Sequence, residues 1–149
     1  MGKTCFVICT ERGKLEKQSL LFVKTLRLFG GNYSNVDVLS FSPRENHLPS
    51  SETLKELEKL GVKVFTEPLN KDFVSLPILN KLLVTSFVEK NLPYSTIVML
   101  DSDQIIINEP TAICEISPNT VALRPVHKKN IGIGVDQEPS NLWRSVNRL

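Results

Sequence analysis

Residues 97–106 read IVMLDSDQII: an apolar run ends in two aspartates separated by one serine, and apolar residues then resume. The run is continuous rather than alternating, which is typical of a strand buried on both faces of a parallel sheet. Ligands of such open sheets bind outside the carboxyl ends of the strands. The sequence therefore predicts a strand over 95–107 that delivers Asp101 and Asp103 to the ligand-binding edge of a sheet.

On either side of this stretch, short β-rich runs alternate with runs of helix length. Strands are predicted over 4–11, 35–42, 62–68, 95–107 and 119–126, and helices over 14–31, 49–61 and 76–92. This alternation predicts right-handed crossovers and an α/β fold, a Rossmann-like, mainly parallel sheet with helices on both faces. We expect the α/β domain to span 1–126, and a loop with the start of a further helix to span 127–149.

Local signals support the helices. Ser50 or Ser51 suits an N-cap, and Gly61 suits the position after the last turn of the same helix. In the first helix, apolar side chains are spaced to share one face: Leu15, Phe22, Val23, Leu26 and Phe29.

Composition excludes several classes of protein. The chain has 149 residues, 41% hydrophobic and 23% charged, and its net charge of +2 gives no electrostatic case for nucleic-acid binding. No apolar run is long enough for a transmembrane segment, and the N-terminus lacks a signal-peptide pattern. We therefore expect a cytoplasmic protein. Cys5 and Cys9 lie in an apolar strand, which favours packed thiols over a redox or zinc pair.

Two carboxylates held close together repel each other unless a cation joins them. In extended backbone Asp101 and Asp103 would point the same way, and hard cations such as Mg²⁺ and Mn²⁺ bind through one or two carboxylates plus substrate phosphates. The pattern thus predicts a metal site for a phosphorylated ligand. Asp-Ser-Asp is also typical of a turn without any ligand, and that interpretation stays open.

The segment YSTIVMLDSDQIIINEP (94–110) closely resembles the Asp-x-Asp segment of GT-A-type glycosyltransferases, which use nucleotide-sugar donors. The resemblance is nearest to the group related to glycogenin and to bacterial lipopolysaccharide galactosyl- and glucosyltransferases. It covers residues 4–126 by the order and spacing of elements, but only the Asp-x-Asp segment is specific.

The resemblance implies roles for particular residues. Asp103 would ligate Mn²⁺ or Mg²⁺ on the donor diphosphate, and Asp101 would contact the metal or the ribose, with Ser102 between them in the donor site. Three further residues are expected to contact the nucleotide-sugar, preferably a UDP-sugar: Thr10 and Glu11 at the end of the first strand, and Lys81 on the helix before the Asp-x-Asp strand. For Thr10 and Glu11 the alternative is an ordinary turn at the end of a strand. For Lys81 the alternative is a solvent-exposed lysine on a helix.

The chain also departs from that group. It lacks the later His-x-Gly-x-x-Lys segment that completes the metal site there, and His127 comes too early to replace it. The acceptor is unknown, as are the catalytic residues. Three alternatives remain: a non-catalytic nucleotide-binding module, a haloacid-dehalogenase-like phosphatase, and a purely structural domain. The ending NLWRSVNRL (141–149) suits either the beginning of a longer region or a terminal helix.

Overall fold

The computed structural model describes residues 3–115, 117 and 119–123. The chain divides into two compact units, residues 1–115 and 116–149. The predicted boundary at 126 lies outside the described residues. In the described part of the chain, no helix is both long and apolar enough to cross a membrane.

The first unit is an α/β fold built on a four-stranded sheet, as predicted. Its elements are β1 (Thr4–Cys9), α1 (Lys14–Phe29), β2 (Asp37–Phe41), α2 (Ser51–Lys59), β3 (Val62–Phe65), α3 (Leu79–Asn91) and β4 (Thr96–Met99). The strand order is β3-β2-β1-β4, and all pairs are parallel. The chain first moves outward from β1 to β3 and then returns to the other side of β1, so the order reverses between β1 and β4.

Alternation along β1 divides the core into two layers. Phe6 and Ile8 pack with side chains of α1 and α2 on one face of the sheet, whereas Cys5 and Val7 pack with Val84 and other α3 side chains on the opposite face. Helices therefore cover both faces. Burying the strand on both sides explains why its sequence is continuously apolar rather than alternating.

The helix caps follow the sequence. The Ser50 hydroxyl accepts a hydrogen bond from the Thr53 amide at the start of α2, and Gly61 follows the helix with φ +73°. In α1, Phe22, Val23 and Leu26 are fully buried as predicted, but Phe29 is 51% exposed because the helix ends there and turns away at Gly30.

Two strand predictions need correction. The strand predicted over 95–107 ends at Met99. Residues 104–110 instead pass over α1, where the Ile106 amide donates to Thr25 Oγ1 at 3.1 Å. The fifth strand is wrong for its described part, 119–123: Asn119 has φ +60°, and the Thr120 hydroxyl donates to the Ser117 carbonyl in a turn. Its last residues, 124–126, lie outside the described part.

Candidate functional site

The reversal of strand order places a crevice at the carboxyl ends of β1 and β4. A small pocket of about 110 Å³ opens there. It is formed by the ends of the two strands, the start of α1 and the first turn of α3: Cys9, Glu11, Leu15, Pro77, Asn80, Lys81, Leu100, Asp101 and Ser102. Crevices at such reversal points are where open α/β sheets bind ligands. The pocket is smaller than the roughly 300–1,000 Å³ that encloses a whole ligand of drug size, so it suits one portion of a larger molecule.

Asp101 and Lys81 meet at this pocket. The Lys81 ammonium contacts Asp101 Oδ1 directly, and the two side chains remain 37% and 53% exposed. An ion pair this exposed is worth at most about 1 kcal/mol, so a ligand or cation can replace it at little cost. The structure thus brings together two of the residues predicted for the site.

The backbone around Asp-Ser-Asp turns instead of extending. The Gln104 amide approaches the Asp101 carbonyl at 3.4 Å, which closes a turn over 101–104. The expectation that Asp101 and Asp103 lie in extended backbone is therefore wrong, and strand alternation does not set the directions of their side chains. Ser102 is buried, with 6% exposure, and Asp103 is exposed.

The carboxylate oxygens of this turn are nevertheless of the type that binds a hard cation. Asp101 and Asp103 supply carboxylate oxygens that are open to solvent, which Mg²⁺ and Mn²⁺ prefer. Among the described residues no group of three or more His, Cys, Asp or Glu side chains could hold a metal by itself. Other oxygen ligands, such as water or a bound phosphate, would have to complete the coordination of a metal at this turn.

Cys9 lines the same pocket but is chemically quiet. Burial, together with the neighbouring Glu11 carboxylate, raises the pKa of the Cys9 thiol from 9.0 to about 12. The thiol stays protonated at neutral pH, and a metal binds the thiolate. The prediction that Cys5 and Cys9 are packed thiols on one face of the strand is confirmed.

Thr10 is fully buried where β1 ends. Its hydroxyl donates to Ser19 Oγ at 2.8 Å and accepts from Ser40 Oγ at 2.7 Å, while the Ser42 hydroxyl donates to its carbonyl at 2.7 Å. These bonds join β1 to α1 and β2. A nucleoside contact of the Thr10 side chain would have to displace them, so that contact stays a prediction.

Glu11 has internal partners as well. Its carboxylate is 4% exposed and accepts two hydrogen bonds from Arg44, at 2.8 and 2.5 Å, and one from the Asn80 amide at 3.0 Å. Hydrogen bonding to Glu11 raises the pKa of Arg44. Glu11 lines the pocket as the centre of a buried ionic network, and its contact with the nucleotide-sugar stays a prediction.

Sequence reasoning missed Arg44, Asn70 and Asn80. Arg44 follows β2 at the same edge of the sheet, so the rule that identified the residues after β1 and β4 would have identified it too. Asn80 stands next to Lys81 in an otherwise apolar helix segment, LNKLL (79–83). A buried amide in such a segment generally has a specific partner.

Together these features define an α/β domain with a small pocket at the reversal point of a parallel sheet. The chain belongs to the Rhodobacterales glycosyltransferase domain family, whose model matches residues 6–148. It is thus a glycosyltransferase domain. The family match favours this class over the phosphatase alternative. Among curated proteins, none matches the chain.

Proposed function

We propose that this glycosyltransferase domain binds a nucleotide-sugar donor, preferably a UDP-sugar, at the pocket between β1 and β4, through Mn²⁺ or Mg²⁺ held by Asp101 and Asp103. The observation that carries the proposal is the position of Asp101 at the reversal point of the sheet, in contact with Lys81. Asp103 follows two residues later in the same turn, and its side chain is exposed. The family match supports glycosyl transfer in general. The resemblance to GT-A-type enzymes supports the nucleotide-sugar donor.

Lys81 has a specific part in this proposal. In the ligand-free chain its ammonium neutralises Asp101. When a cation takes over that carboxylate, Lys81 is free to bind a phosphate oxygen of the donor. The Lys81 side chain is 37% exposed, so its ammonium is accessible to a ligand.

Transfer of the sugar breaks its bond to phosphate, and negative charge grows on the departing nucleoside diphosphate. A divalent cation held by the two aspartates would supply Lewis-acid stabilisation of that charge. Lys81 would add a charge-assisted hydrogen bond to the same phosphate, and fixed positive groups of this kind lower the barrier because they need no reorganisation. The half-buried wall formed by Cys9 and Leu15 would limit the access of water from the side of β1.

A thermal-shift panel tests the donor class. UDP, GDP, CDP and ADP are each compared with and without Mn²⁺. At about ten times the Kd a ligand adds ~1.4 kcal/mol of stability, which raises the Tm by about 3–6 °C in a domain of this size. We expect such a rise with UDP and Mn²⁺ together. Equal shifts with all four nucleotides would contradict the preference for uridine, and no metal-dependent shift with any of them would contradict the proposed donor site.

A further inference from the structure

The strongest buried ionic contact of the described residues lies directly behind the candidate donor site. Arg44 and Glu11 form a two-pronged ion pair whose side chains are only 12% and 5% exposed. Asn80 adds a third hydrogen bond to the same carboxylate. A ligand that took over this carboxylate would leave the largely buried Arg44 without its partner, which is costly.

The ion pair and Asn80 join the segments that follow β1, β2 and β3 at the carboxyl ends of the strands. Glu11 follows β1, Arg44 follows β2, and Asn80 lies in the first turn of α3. Arg44 also donates to the Val74 carbonyl at 2.8 Å, and Asn70 donates to Asn80 Oδ1 at 2.7 Å. The loop between β3 and α3 is therefore tied to the same network.

The network also decides which carboxylate pairs with Lys81. Glu11 and Asp101 both line the pocket around this lysine, and both carboxylates act on Cys9. Arg44 already neutralises Glu11, and the Lys81 ammonium forms its ion pair with Asp101 instead. Asn80 precedes Lys81 in the chain, so fixing its side chain fixes the helical turn from which Lys81 extends.

We propose that Arg44, Glu11 and Asn80 are positioning residues that place Lys81 at the donor site, beside Asp101, with Glu11 acting through this network rather than by touching the donor. This inference rests on the proposed function for its effect on donor binding. Its structural part, the placement of Lys81, can be measured without any donor.

A double-mutant cycle tests the effect on binding. The affinity of UDP in the presence of Mn²⁺ is measured by calorimetry for the wild-type chain, Asn80→Ala, Lys81→Met and the double variant. If Asn80 acts through Lys81, Asn80→Ala weakens binding about tenfold when Lys81 is present and less than about twofold in the Lys81→Met background. An equal loss in both backgrounds would show that Asn80 acts independently of Lys81 and would overturn the proposal.

The matched control is Asn91→Ala, at the opposite end of α3. Asn91 bonds only the Phe87 carbonyl of its own helix in the described structure and is exposed. This variant loses one amide from the same helix and should leave UDP affinity unchanged. A loss equal to that of Asn80→Ala would mean that general loosening of α3, and not the network, weakens binding.

Trace acetylation of Lys81, quantified by peptide mass spectrometry on the full chain, gives the readout that needs no donor. Asp101→Asn provides the reference for a lysine released from its partner. Asn80→Ala should raise labelling of Lys81 toward that reference, and Asn91→Ala should not. Labelling that stays at the wild-type value overturns the proposal even when UDP binds. A rise in labelling without any binding of UDP by the wild-type chain would support the positioning network and contradict the donor site instead.

Discussion

Glu11 lies next to the candidate donor site but acts on it indirectly, through its hydrogen bonds to other side chains. Glu11 lines the pocket, yet its carboxylate accepts hydrogen bonds from Arg44 and Asn80. A buried ion pair contributes little net stability compared with a well-packed apolar pair, but removing one partner leaves the other charge stranded. The cost of mutation is therefore larger than the value of the contact.

We expect Glu11→Ala to lower the free energy of unfolding by about 3 kcal/mol, because it leaves the largely buried Arg44 guanidinium without its carboxylate. Urea denaturation measures this difference. The control is Glu58→Ala, an exposed position on α2, which should change stability by less than about 0.5 kcal/mol. Equal small effects from both substitutions would show that the Arg44 network contributes nothing to folding.

At the scale of the element, one glutamate serves the starts of two helices. Glu16, in the first turn of α1, accepts a hydrogen bond from the Gly13 amide through Oε1. Its Oε2 accepts from the Ser50 amide, the Ser50 hydroxyl and the Thr53 hydroxyl at the start of α2. These bonds, chiefly the one from the Ser50 hydroxyl, lower the pKa of Glu16 from 4.5 to about 2.

This geometry predicts a pH-dependent contribution to stability. Because the pKa is lower in the folded state, the contribution is present above about pH 4.5 and is lost as the pH falls toward about 2. Glu16→Gln should cost about 1 kcal/mol at pH 7, and the difference from wild type should shrink on acidification. Urea denaturation at pH 7, 5 and 3.5 checks this, with the exposed Glu52→Gln of α2 as control. A difference that is the same at every pH would contradict the assignment.

The helix termini and strand centres were predictable from sequence because their signals are local. A few residues are enough to predict the ends of α2, from Ser50 and Gly61, and the centre of β1, from its apolar run. The double role of Glu16 and the pairing of Glu11 with Arg44 join residues 34 and 33 positions apart. Periodicity carries no information about such contacts, so these could not be predicted.

The early end of β4 has a related cause. Ile105 and Ile107 continue the apolar pattern, but no strand among the described residues pairs with them, and the turn at Asp101 redirects the chain toward α1. There Asn32 donates to Glu109 at 2.8 Å, and Gly31, with φ +56°, leaves room for the Glu109 side chain. The sequence correctly indicated an apolar segment, but tertiary packing decided that it would not extend the strand.

In the molecule as a whole, the carboxyl and amino ends of the strands carry different kinds of side-chain clusters. The carboxyl edge holds the pocket, and the amino edge holds a polar cluster around Asp37. Asp37 Oδ2 accepts hydrogen bonds from Lys3, Lys63 and Tyr94 at 2.7, 3.0 and 2.8 Å. The bond from Lys3, reinforced by the others, lowers the pKa of Asp37 below its ordinary value of 3.8.

This division predicts that stability and binding can be separated. Asp37→Asn should lower the free energy of unfolding by about 1 kcal/mol at pH 7, where the carboxylate is charged, and by less at low pH as the carboxyl of the wild type becomes protonated. The affinity for UDP with Mn²⁺ should stay within about twofold of wild type. Urea denaturation and calorimetry on the same preparation measure both quantities. A large loss of affinity would show that the amino edge is coupled to the pocket.

The measurement that tests the central claim most directly is calorimetric titration of UDP, with and without Mn²⁺, into the wild-type chain and its Asp103→Asn variant. The exposed Glu58→Gln of α2, which also removes one negative charge, serves as the matched control. We predict binding that requires Mn²⁺, persists in Glu58→Gln and is at least about tenfold weaker in Asp103→Asn. Binding that is independent of Mn²⁺ or unaffected by loss of the Asp103 carboxylate would contradict a metal-bound donor at the Asp-Ser-Asp turn.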